Sequence, residues 1–64
     1  MKQRDLMKRL YKELGPSRAK VCEAFAAAER AGQVTRKRGT EKTSPEQYAS
    51  DLWSDGIRKG WLSG

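Results

Sequence analysis

The 64-residue chain is 36% hydrophobic and 34% charged, with fourteen Lys and Arg against eight Asp and Glu, one cysteine and no histidine. That length fits one small domain, 1–64, whose modest core barely offsets ordering entropy, so a protein partner or a homodimer is expected to add stability. An intrachain disulfide, an imidazole metal site and histidine-based catalysis are excluded, and no catalytic residue, metal ligand or cofactor is expected.

Residues 2–14, KQRDLMKRLYKEL, place Leu6, Leu10, Tyr11 and Leu14 at three- and four-residue spacing between basic residues. The spacing predicts an amphipathic helix that stops at Gly15-Pro16, where the missing proline amide and the freedom of glycine both oppose continuation. Ser17 can cap a second helix over 17–31, rich in alanine and closed by Gly32, with Val21, Cys22, Phe25 and Ala28 as its buried stripe. From 33 to 43 the β-branched Val34 and Thr35, the run Arg36-Lys37-Arg38 and Gly39 predict a short extended segment, a turn and a loop. A third helix is predicted over 44–55. Ser44 caps the Gln47 amide, Gln47 reaches back to Ser44, Pro45 takes the first helical position, and Gly56 is the stop. Tyr48, Leu52 and Trp53 form its apolar face, and the tail, with Ile57, Trp61 and Leu62, is expected to fold back onto the core. The fold class is therefore mainly α: three helices, a helix-turn-helix-like pair and a short basic wing or loop.

Charge is unevenly divided. Residues 1–40 hold eleven Lys and Arg against four Asp and Glu, and residues 41–64 hold three against four. With a net charge of +6, this favours a polyanionic partner, nucleic acid or an acidic membrane surface. No stretch approaches the ~20 apolar residues of a bilayer span, and Met1–Asp5 leads into no signal-peptide segment. Cytoplasmic residence without a membrane partner is the expectation, and a lone cysteine suits a reducing compartment.

Over residues 13–40 the residues Glu13-Leu14-Gly15, Ser17-Arg18, Val21, Glu23-Ala24, Glu29, Gly32, Val34, Arg36 and Gly39-Thr40 succeed one another as helix end, capped helix, glycine and basic segment. In this the sequence resembles winged helix-turn-helix DNA-binding regulators of the gluconate-repressor type. The resemblance implies a recognition helix starting at Ser17, with Arg18 and Lys20 facing base edges and Ser17 a phosphate. It also implies a wing on which Thr35, Arg36, Lys37 and Arg38 neutralise backbone phosphates.

Other features carry alternatives. Cys22 and the alanine run suit helix packing, and Asp51 and Asp55 suit a polar face better than paired catalytic carboxylates. Trp53 and Trp61 are core residues or the anchors of an exposed partner surface. Lys8, Arg9 and Lys12 outside Leu6, Leu10 and Leu14 could also describe a membrane-surface helix. The expectation is a non-enzymatic DNA-binding protein of the kind small phage and plasmid proteins provide for transcription or replication control. The rivals are a protein-interaction module working through Trp53 and Trp61, and an RNA-binding or ribosome-associated basic protein.

Overall fold

A computed structural model describes residues 1–36 and 38–62. It contains three helices: α1 (Gln3–Leu14), α2 (Arg18–Arg30) and α3 (Pro45–Lys59). No helix among the described residues is long and apolar enough to cross a membrane.

The turn between α1 and α2 is three residues long. Gly15, at φ 80°, closes α1 by donating its amide to the Tyr11 carbonyl at 2.9 Å. Ser17 opens α2 as expected, its Oγ accepting the Lys20 amide at 3.4 Å. The far end of α2 closes on Gly32, at φ 75°, where the Gly32 amide meets the Glu29 carbonyl at 3.0 Å and the Gln33 amide meets that of Ala28 at 2.9 Å. This paired arrangement satisfies carbonyls that the last turn would otherwise leave without donors.

The chain then buries Val34 and brings Thr35 alongside Lys2 in an isolated parallel bridge. The described part of the segment is a loop, not a wing: it contains no strand, and its one bridge goes to the start of α1. Its turn falls at Gly39, at φ 93°, as the sequence suggests. The loop is anchored by Arg36, which pairs with Glu29 of α2 at 2.7 Å, donates to the Thr40 carbonyl and lies 5.0 Å over the Tyr48 ring of α3.

Ser44 caps α3, its Oγ accepting the Gln47 amide at 3.2 Å. The reciprocal half of the predicted box is absent, because the Gln47 side chain donates forward to Asp51, one turn on, at 2.8 Å. A second correction concerns Gly56. The helix does not stop there but continues to Lys59, ending at Gly60, whose φ of 85° suits the left-handed cap. Gly56 is instead a packing site. The chain reverses after Gly60, and the amides of Gly60 and Leu62 both donate to the Gly56 carbonyl, at 2.9 and 3.1 Å. Leu62 is thereby laid against the helix at 2% exposure. A β-carbon at position 56 would lie 2.6 Å from that of Leu62 and 3.1 Å from the Trp61 ring, which is why glycine stands inside this helix.

The core draws on every element: Leu6 and Met7 of α1, Val21, Phe25 and Ala26 of α2, Val34, then Tyr48, Ala49, Leu52 and Trp53 of α3, and Leu62. Leu10, Tyr11, Cys22 and Ala28 are only half-buried, and Leu14 is exposed at the helix end. Aromatic pairs tie α3 to both neighbours, Phe25 to Tyr48 with centroids 6.2 Å apart and Tyr11 to Trp53 at 5.4 Å, within the range where tilted rings attract. The tail folds back as expected through Trp61 and Leu62, whereas Ile57 remains half exposed on α3.

Candidate nucleic-acid interface

The basic residues divide into two groups. Carboxylates hold Arg9 (to Glu13, 3.1 Å), Arg30 (to Glu46), Arg36 (to Glu29), and Arg58 and Lys59 (to Asp55, 3.1 and 3.2 Å). Lys2, Arg4, Lys8, Lys12, Arg18, Lys20, Arg38 and Lys42 are exposed and form no salt bridge with the described residues. Acidic groups are more fully engaged. Besides the five carboxylates in ion pairs or at the Gln47 amide, Glu41 accepts the Gly39 amide at 3.2 Å.

The predicted contact residues do not form one patch. Ser17, Arg18 and Lys20 lie where α2 begins, beside the turn from α1. Thr35, Arg36 and Arg38 come after its other end, and twelve residue steps of helix put about 18 Å between the two poles. Lys37 lies outside the described residues. At the first pole, the Arg18 guanidinium reaches across to α3, donating to Ser50 Oγ and, at 3.5 Å, to Ser54 Oγ. Ser17 Oγ is engaged with the Lys20 amide. Lys20 alone of the three points to solvent without a partner among the described residues, and the exposed positions beyond it on α2 are Glu23, Ala27 and Arg30. That face offers few groups able to read a base edge.

At the second pole, Arg36 is an internal strut. Its side chain is 17% exposed and that of Glu29 13%, and the hydrogen bond to Glu29 holds the guanidinium pKa above its ordinary value. Thr35 and Arg38 are exposed. Close by is a feature that the sequence does not announce. An open groove of about 650 Å³ runs between the first turns of α1 and the segment after α2, lined by Lys2, Arg4, Lys8, Thr35 and Arg36, with Asp5 as its acidic member. Part of the signal lies in the spacing, since Arg4, Lys8 and Lys12 recur every fourth residue, but the partner wall from residues 35–36 is a tertiary feature.

The tryptophans do not form an exposed pair. Trp53 is 9% exposed and packed on Tyr11, which makes it a core residue. Trp61 is half-buried, with Arg4 5.1 Å over its ring and its indole N–H directed at Asp55 Oδ2, 3.4 Å away. Burial pushes the Cys22 thiol pKa up, against the opposing pull of neighbouring Arg18, and so disfavours the reactive thiolate.

The fold is that of a small helical domain with three helices. The chain matches no family model, no curated protein and no solved structure.

Proposed function

We propose that this protein binds duplex DNA, as a small basic domain of the build used in transcription or replication control. The observation that carries the reading is the set of exposed cations left without carboxylates while most of the acidic groups are already engaged. Unpaired Lys and Arg on a folded surface release condensed counterions when they meet phosphate, and this drives association. Of the residues singled out from the sequence, Lys20, Thr35 and Arg38 are exposed, whereas Arg36 is enclosed and supports its loop from within. The burial of Trp53 removes one of the two aromatic anchors that a protein-interaction reading would use.

The test is competition. Labelled mixed-sequence duplex DNA is bound at about 50 mM salt, where phosphate contacts are strongest, and displaced by unlabelled duplex DNA or by structured RNA of equal length. Displacement by DNA at lower concentration than by RNA supports the reading. Preferential displacement by RNA, or no binding at all, overturns it.

A further inference from the structure

The groove beside α1 gives DNA binding a particular geometry, and the role assigned to α1 rests on that binding. We propose that α1, not the start of α2, is the element laid along the DNA, with Lys2, Lys8 and Lys12 on successive phosphates and the groove closed by Thr35 receiving one of them.

Three observations lead there. Arg4, Lys8 and Lys12 stand four residues apart, so their side chains rise from one face of α1 in steps of about 6 Å, a stripe about 12 Å long. Lys2, whose backbone is bridged to Thr35, lines the same groove as Arg4 and Lys8. Next, the stripe is free for a ligand. Lys2, Lys8 and Lys12 are exposed and form no ion pair with the described residues, and among those residues Arg4 lies over the face of Trp61. The start of α2, by contrast, has its arginine drawn onto the serines of α3 and a glutamate, Glu23, one turn beyond Lys20. Finally, the groove adds a hydroxyl, from Thr35, to Lys2, Arg4 and Lys8, against the single carboxylate of Asp5. Ammonium and hydroxyl donors around an open cleft suit phosphate oxygens, which accept from both.

Contacts of this kind position a protein on DNA without reading its sequence. The specificity expected of α1 is therefore for duplex DNA with little sequence preference, tracked along one strand's backbone.

The experiment compares two triple variants of the whole chain, Lys2→Gln with Lys8→Gln and Lys12→Gln, and Lys20→Gln with Arg38→Gln and Lys42→Gln. Each removes three positive charges from exposed positions, so net charge is matched and circular dichroism checks that both stay folded. Affinity for a mixed-sequence duplex is measured across about 50 to 200 mM salt. The α1 variant is expected to bind about tenfold or more weakly, with a slope of log affinity against log salt shallower by about 2.7, at about 0.9 for each phosphate that is no longer neutralised. The second variant is expected to lose less than about threefold and to keep a slope within about 1 of the wild type. Equal losses, or a larger loss in the second variant, overturn the assignment to α1 while leaving DNA binding intact. A wild type that binds no duplex at the lowest salt overturns both.

Discussion

Replacing Gly56 with alanine tests the packing of the tail against α3, because two effects of known sign oppose each other there. In an open helix the change stabilises by about 1 kcal/mol, the difference in propensity between glycine and alanine. Here the new β-carbon would meet the Leu62 β-carbon at 2.6 Å and two atoms of the Trp61 ring at 3.1 Å. Apolar carbons rest about 3.5 to 4.0 Å apart, and the nearest atom is anchored to the backbone, so it cannot swing away as a side-chain tip could. The tail must lift. Overpacking costs about 1–3 kcal/mol, and full release of the buried Leu62 costs a similar amount, about 1.5–3 kcal/mol. Net of the propensity gain, Gly56→Ala is expected to lose about 0.5–2 kcal/mol if the tail is released, or roughly 2–16 °C in midpoint for a domain of this size. Urea unfolding followed by circular dichroism measures it. The sign should reverse in a chain ended at Gly60, where alanine keeps its propensity gain and meets neither Trp61 nor Leu62. Stabilisation in the full-length chain, or the same loss in the shortened one, would refute the reasoning.

Further outcomes are expected from the capping and charge contacts. Ser44→Ala should cost about 1 kcal/mol, because the Gln47 amide loses its acceptor at the start of α3, and a loss under about 0.3 kcal/mol in urea unfolding would count against the cap. At Asp55, burial pushes the carboxyl upward, but the hydrogen bonds from Lys59, Trp61 and Arg58 outweigh it and hold the pKa below its ordinary 3.8. A carboxyl depressed by folding adds stability that is present above its unfolded value and lost as pH falls through the folded one. The indole N–H resonance of Trp61 should therefore keep its shift at neutral pH and move only below about pH 3.8. Movement that is complete by about pH 5 would contradict the Trp61 to Asp55 contact.

The starts of α2 and α3 are legible in the sequence because Ser17 and Ser44 act on amides three residues away, within reach of local sequence. The end of α3 is not. Gly56 carries the same letter as a helix stop, and only Leu62 and Trp61, which return from beyond Gly60, reveal it as a place of close approach. Gln47 misleads for a related reason: reaching back to Ser44 competes with reaching forward to Asp51, and spacing alone does not rank them. In α1 the leucine spacing finds one buried face. Met7 lies on a second, because α1 contacts α3 as well as α2, and Tyr11 meets Trp53 on that side.

The same limit applies to the candidate interface. The run Arg36-Lys37-Arg38 reads as uniform charge, yet the Arg36 guanidinium is enclosed by Glu29, Thr40 and Tyr48, drawn from α2, the loop and α3. Trp53 and Trp61 likewise differ by burial, not by sequence context. What the sequence does establish is the excess of cations in the first forty residues, of which the fold pairs Arg9, Arg30 and Arg36 with Glu13, Glu46 and Glu29.

The most direct measurement is the salt dependence of wild-type binding to a mixed-sequence DNA duplex. With Lys2, Lys8 and Lys12 on phosphates and Arg4 beside them, log affinity should fall against log salt with a slope of about −2.7 to −3.6, at about −0.9 for each contact, and scrambling the duplex sequence should leave it unchanged. A slope near zero, or no binding at about 50 mM salt, would contradict the account.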